Sequence, residues 1–213
     1  MTTILTDSEI RIVGSLMEKA LSTPDYYPLS LNALTNACNQ KSNRDPVVAY
    51  DESDVQTVLD ELEEKNIVNQ SRVGRVPKYE ELFSQKHNLV PQEVAVLCVL
   101  MLRGPQTAGE IRGRTGRLCV FEDLAAVSET LAKLGEWELV QRQARLPGHK
   151  ESRYTHLLGG VPETIEPEQT APATADSPAM AEQIEQLAAE VAQLRADIEI
   201  LKDAFQAFKA QFE

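Results

Sequence analysis

Leu5-Thr-Asp-Ser-Glu-Ile-Arg-Ile-Val-Gly-Ser-Leu16 and Leu89-Val-Pro-Gln-Glu-Val-Ala-Val-Leu-Cys-Val-Leu100 carry one apolar pattern twice. The likeness continues downstream in the same order. Leu59, Leu62 and Val68 match Leu131, Leu134 and Val140 at a constant offset of 72 residues. Lys78-Tyr79-Glu-Glu-Leu82 then matches Arg153-Tyr154-Thr-His-Leu157. Three blocks in one order mark a duplication, and a repeat must be recognised before any fold is assigned.

Each copy reads helix, helix, helix, hairpin. In the first copy, Thr6 and Glu9 form a capping box that starts a helix running to about Leu21. Leu31 to Asn39 is a short second helix. Asp51 caps a third, with Val55, Val58, Leu59 and Leu62 on its core face. Ile67 to Ser71 and Val76 to Leu82 read as strands joined around Gly74. In the second copy, Pro91 opens the first helix and Thr107 to about Thr115 holds the second. The third runs from Glu122 to Leu134, with Leu124, Val127, Leu131 and Leu134 expected inward. Leu139 to Ala144 and Ser152 to Leu158 are expected strands.

Three helices and a hairpin are the winged-helix order, in which the third helix commonly enters the DNA major groove and the hairpin touches the backbone. The expected fold class is therefore mainly α, of the α+β winged-helix kind. Two tandem winged-helix domains span residues 1–88 and 89–160. A Pro/Ala/Glu linker follows at 161–177, with a coiled-coil helix at 178–213.

Asn39-Gln-Lys-Ser-Asn-Arg-Asp-Pro-Val47, Gly113-Arg-Thr-Gly-Arg-Leu118 and Arg145-Leu-Pro-Gly-His-Lys-Glu-Ser-Arg-Tyr154 resemble the signature stretches of the YceH-like family of uncharacterised bacterial proteins. The resemblance covers about residues 4–160. It implies tandem winged helices and supplies no activity.

Ser177 and Pro178 are an N-cap and first-turn pair for the last helix. From Met180 the apolar steps alternate four and three. Ile184, Val191, Ile198 and Phe205 fall at the a positions; Leu187, Leu194, Leu201 and Phe208 fall at d. β-Branched a with leucine d favours a parallel two-stranded coil. Glu190 facing Arg195, and Asp197 facing Lys202, are attractive in that register. A homodimer is expected.

The formal charge is -12, which as a whole opposes nucleic acid and anionic membrane. Its distribution is uneven, and residues 89–160 alone lack an acidic excess. Nucleic-acid contact candidates gather on loops and wings: Lys41, Arg44, Arg72, Arg75 and Lys78 in the first copy; Arg112, Arg114, Arg117, Arg142, Arg145, Lys150 and Arg153 in the second. Such guanidinium groups suit phosphate contact better than base reading. The competing reading is that they cap helices and pair with acids such as Glu110 or Glu151. The third helix of the first copy is acidic, so groove insertion there is disfavoured. Asp60, Glu61 and Glu64 instead suggest a protein-binding face, resembling the acidic winged-helix subunits that accompany chromosome-organising complexes.

No catalytic motif is present. There is no G-x-S-x-G, no phosphate loop and no dinucleotide fingerprint. His87, His149 and His156 lack partners at metal-ligand spacing, and no cofactor or metal is expected. Cys38 and Cys98 read as core packing, while Cys119 falls near a loop. The longest apolar run, Val94 to Leu102, cannot span a bilayer, and no signal peptide is read at the N-terminus. A cytoplasmic, non-enzymatic protein with no membrane partner is expected. Its leading function is a DNA-associated regulator, and the competing one a protein-binding adaptor.

Overall fold

The computed structural model describes residues 4–71, 76–145 and 151–160. The chain divides into two compact units, Met1–Pro162 and Glu163–Glu213. The linker and the coil expected at 161–213 lie outside the described residues. The described residues are mixed α/β, with seven α-helices and two small antiparallel sheets. No helix among them is long and apolar enough to cross a membrane.

The first half begins with α1, Asp7–Ser22. Thr6 and Glu9 cap it reciprocally. The Glu9 backbone N–H donates to Thr6 Oγ1 at 3.3 Å, and the Thr6 N–H donates to Glu9 Oε2 at 2.8 Å. A short strand β1, Leu29–Ser30, precedes α2, Leu31–Cys38. Asp51 caps α3, Glu52–Glu64, through a second box with Asp54. Strands β2, Val68–Ser71, and β3, Lys78–Glu81, close the half in the order β1-β3-β2. Tyr79 lies at the centre of that sheet, opposite both Leu29 and Gln70. A short α4, Phe83–Lys86, leads into the second half.

The second half contains α5, Pro91–Arg103, α6, Ala108–Thr115, and α7, Leu124–Glu136. Its hairpin is β4, Val140–Arg142, paired with β5, Tyr154–His156. Corresponding details recur at corresponding places. Tyr154 meets an isolated bridge residue, Gln106, as Tyr79 meets β1. Glu93 is buried like Glu9, and its carboxylate accepts from the Val90 N–H at 2.8 Å. After α3 and α7 the chain turns through left-handed residues, Asn66 at φ 56° and Glu138 at φ 56°. The Ile67 N–H then returns to Leu62 O at 2.8 Å, and the Leu139 N–H to Leu134 O at 2.9 Å. Both are the backward bonds of a helix C-cap.

Two expectations change. Leu124 is exposed, not inward, because it is the first residue of α7 and precedes the turn that contacts the core. Val127, Leu131 and Leu134 are buried as expected. The strands are also shorter than their apolar patterns, and β1 has no sequence signal because two residues are too few to alternate.

One core joins the halves through α1 against α5. α5 is buried from Glu93 to Leu102, which suits a helix that is apolar around most of its circumference. At the crossing, Gly14 lies so close to α5 that a Cβ there would stand 3.1 Å from Leu102 Cγ and 3.2 Å from Met101 Cβ. Cys98 Sγ donates to Gly14 O at 3.5 Å. Gly14 and Cys98 align in the sequence pattern shared by the two stretches, and they meet where the halves touch. The N-terminal segment adds a second tie, with the Leu5 N–H donating to Leu158 O at 2.7 Å.

Glycine inside a helix costs about 1 kcal/mol relative to alanine, so this one marks a close approach. Gly14→Val is expected to lower the unfolding free energy by about 2 kcal/mol or more, from overpacking and lost rotamer freedom. Gly14→Ala should fall much nearer neutral, since the helix-propensity gain offsets a softer clash. Urea unfolding of both variants checks this; a valine variant with the parental midpoint would refute the close approach.

Candidate functional site

The segment between α2 and α3, residues 39–51, is the longest polar insertion of the described residues, and it is ordered by specific bonds. Asn39 closes its two ends: Nδ2 donates to Tyr50 O at 2.7 Å, and the Tyr50 N–H donates to Asn39 Oδ1 at 2.9 Å. Its middle is tied to both halves. The Asp45 N–H donates to Leu102 O on α5 at 2.8 Å, Arg103 meets the Asn43 side-chain oxygen, and Arg11 of α1 donates to Pro46 O.

Arg44 is the anchor. Its guanidinium is fully buried and grips Glu18 with both terminal nitrogens, at 2.6 and 3.2 Å. Nε and Nη2 also donate to Ala37 O at 3.2 and 2.8 Å, satisfying a carbonyl near the end of α2. The sequence places Arg44 among the residues expected to face phosphate. Burial and a full set of acceptors give it a structural role instead.

This strap shapes a cleft of about 490 Å³. Cys98, Val99, Leu102 and Leu118 are its apolar lining. Lys19, Lys41, Arg103, Arg114 and Arg117 are its cations, and Glu18 is the acid among the described residues that line it. A neighbouring hollow of about 410 Å³ shares Asn43, Arg103 and Arg114 and adds Asp45, Glu110 and Arg153. Lys41 from one half and Arg114 and Arg117 from the other, far apart in the chain, thus line one concavity.

Some of these cations have local explanations. Lys19, Arg103 and Arg114 lie in the last turns of α1, α5 and α6. Each helix C-terminus carries roughly half a negative charge, which favours a cation there. Arg114 also lies 3.7 Å from Glu110, and Arg153 lies 3.1 Å from the same carboxylate while donating to Pro105 O at 2.7 Å. The Thr107 N–H, then these arginines, hold the Glu110 carboxyl below its ordinary pKa. Arg112 donates to Glu122 O at 2.8 Å. Arg44, Arg114 and Arg153 are thus paired with acids.

Three cleft cations differ. Lys41 and Arg117 are exposed, with no hydrogen bond or ion pair among the described residues. Arg103 meets only a neutral amide oxygen, and burial, then Arg114, push its guanidinium below its usual value. Away from the cleft, Lys78, Arg142 and Arg145 are exposed on the hairpins. Arg72, Arg75 and Lys150 lie outside the described residues.

The acids expected to face a partner are where the sequence puts them: Asp60, Glu61 and Glu64 are exposed on α3. Cys38 and Cys98 are buried, and burial raises both thiols. His156 is half-buried, with an enclosed, unpartnered Nδ1 and its imidazole pushed down by desolvation. Among the described residues no three His, Cys, Asp or Glu side chains form a metal-holding group.

A family model described as "Protein of unknown function, DUF480" matches residues 5–149. The chain belongs to the DUF480 family. Full-length relatives agree. The UPF0502 protein of Solibacter usitatus is 48% identical over 207 residues, covering 97% of each chain. That of Pelobacter propionicus is 46% identical over 219 residues and the whole of both. That of Aeromonas hydrophila is 43% identical over 210 residues, 95% of this chain and 97% of the relative. Of the three motifs that carried the resemblance, the DUF480 match contains the first two whole and the third as far as His149.

Sequence reading missed Lys19, Arg103 and Glu18 in this DUF480 chain. Lys19 and Arg103 follow the ordinary rule for helix ends and draw no notice until the fold brings them to one cleft. Arg44→Ala is expected to destabilise the protein by about 3 kcal/mol, because it leaves the half-buried Glu18 with only Lys19, 3.6 Å away, and removes the donors to Ala37 O. Thermal and urea unfolding measure the effect; a change below ~1 kcal/mol would contradict the anchoring role.

Proposed function

We propose that this DUF480 chain is a non-enzymatic, dimeric regulator associated with DNA, built from tandem winged helices that touch phosphates through hairpins and loops. The winged-helix reading is supported by the shared order of elements in the halves. In each, a helix, an extended pairing residue, two helices and a hairpin follow one another. The dimer rests on the heptad pattern from Ile184 to Phe208, read from the sequence.

The observation that carries the DNA reading is where exposed charge falls. Lys78, Arg142 and Arg145 are exposed on the hairpins, whereas the outward face of α3 carries Asp60, Glu61 and Glu64. The exposed flank of α7 carries Glu122, Asp123 and Glu129, with Lys133 paired to Glu129 at 3.5 Å. Carboxylates on both third helices oppose insertion into a groove. Cations on the hairpins favour salt-sensitive backbone contact, which positions a protein without reading bases. Two modest surfaces joined in a dimer gain through effective concentration.

Binding of the full-length protein to a DNA duplex over a salt series tests this. Association is expected at low salt, and Lys78→Ala with Arg142→Ala and Arg145→Ala should weaken it at least tenfold. The log–log salt slope should become shallower by about 0.9 for each phosphate that the variant no longer neutralises. Absence of binding at low salt, or an unchanged slope in the triple variant, overturns the proposal.

The exposed acids of α3 favour a second reading, a protein-binding adaptor. Under it, Asp60→Asn, Glu61→Gln and Glu64→Gln together abolish co-purification of a cellular partner while leaving DNA binding unchanged or stronger. Retention of the partner by that variant identifies the face as merely solvated.

A further inference from the structure

The cleft between α1, the strap and α6 has a composition that the DNA reading does not use. Its cations come from both halves of the chain. Three of them lack a carboxylate partner among the described residues: Lys41, Arg103 and Arg117. The acid in its lining, Glu18, is already taken by the buried Arg44.

Helix ends account for Arg103 but not for Lys41 and Arg117. The carbonyls there are largely satisfied from within. Lys19 O accepts from the Thr23 N–H at 3.0 Å, Leu100 O from the Gly104 N–H at 2.9 Å, and Thr115 O from the Leu118 N–H at 2.7 Å. Lys41 and Arg117 lie beyond the last turns of α2 and α6, so the dipoles do not call for them. Like charges crowded into a half-buried concavity repel, and an anion placed between them relieves that cost.

The cleft also has an apolar side. Val99 and Leu102 of α5 and Leu118 after α6 line it, while Gln40, Ser42 and Asn43 offer donors and acceptors along the strap. A volume of about 490 Å³ lies within the range of small-molecule sites, roughly 300–1,000 Å³. Inorganic phosphate would use the cations and waste the apolar lining. Duplex DNA is too wide to reach the floor of a cleft this size.

We propose that this cleft binds a small organic phosphate of the nucleotide class, its phosphates held between Lys41 and Arg117 and its ring lying along Val99, Leu102 and Leu118. The proposal does not rest on DNA binding. Because the ligand bridges residues of both halves, it ties the strap to α6 and stiffens the contact between the halves.

Isothermal titration of the full-length protein with ATP, pyrophosphate and adenosine, each without DNA, tests this. ATP is expected to bind with one site per chain. Pyrophosphate and adenosine should each bind at least tenfold more weakly, since each keeps only one half of the recognition. Lys41→Glu with Arg117→Glu should weaken ATP at least tenfold; both side chains are exposed, and an unchanged thermal midpoint without ligand confirms folding. Arg142→Ala with Arg145→Ala should leave ATP affinity unaltered, which separates this site from the hairpin surface. No heat with ATP, pyrophosphate as tight as ATP, or indifference to the Lys41 and Arg117 reversals overturns the proposal.

Discussion

The close approach of α1 to α5 at Gly14 is the constraint on which the rest of the described structure depends. Each half presents an apolar helix face, and exposed faces of that kind must be covered. Here each half covers the other. The residues that meet, Gly14 and Cys98, align in the sequence pattern. The glycine permits the approach, since two side chains at that point would hold the helices apart. Burying Ile12, Leu16, Leu97 and Leu100 around it follows from that approach, at about 1.5–3 kcal/mol for each large side chain removed from water.

The strap depends on the same crossing. Residues 39–51 have no counterpart of equal length in the second half, and they lie against the C-terminal end of α5. Arg44 holds them to Glu18 of α1, while Asp45 and Asn43 hold them to Leu102 and Arg103. A buried charge is costly unless fully paired, and Arg44 has its acid and a backbone carbonyl. The strap therefore converts a contact between helices into a cleft with a defined wall.

Periodic features were legible in the sequence; those created by long-range contact were not. Thr6 with Glu9, Asp51, Pro91 and Thr107 each marked a helix start that the structure reproduces. These signals work because capping is local chemistry. The hairpins at Tyr79 and Tyr154 were read from strand-like runs beside turn residues, and the repeat match of Tyr79 with Tyr154 reinforced that reading, since strands of three or four residues carry little pattern alone. Leu124 misled because an apolar residue one turn from a buried run shares its period without sharing its environment. Arg44 misled for the opposite reason: a charged residue in a polar stretch reads as exposed, and only the fold brings Glu18 to it. Arg103, at the end of an apolar helix, gave no hint that Lys41 would share its cleft.

Glu110 links the cleft to the hairpin. Its carboxylate serves Arg114, which lines the cleft, and Arg153, which enters β5. Arg153 also holds Pro105 O, and its own carbonyl accepts from the Gln143 N–H at 2.8 Å, which extends the pairing toward the turn end of the hairpin. A nucleotide held between Lys41 and Arg117, as proposed, would lie in the cleft that Arg114 also lines. Coupling of the cleft to the hairpin through Glu110 would then require the ligand to favour one arrangement of Arg114 over another, because Arg114 and Arg153 share that single carboxylate.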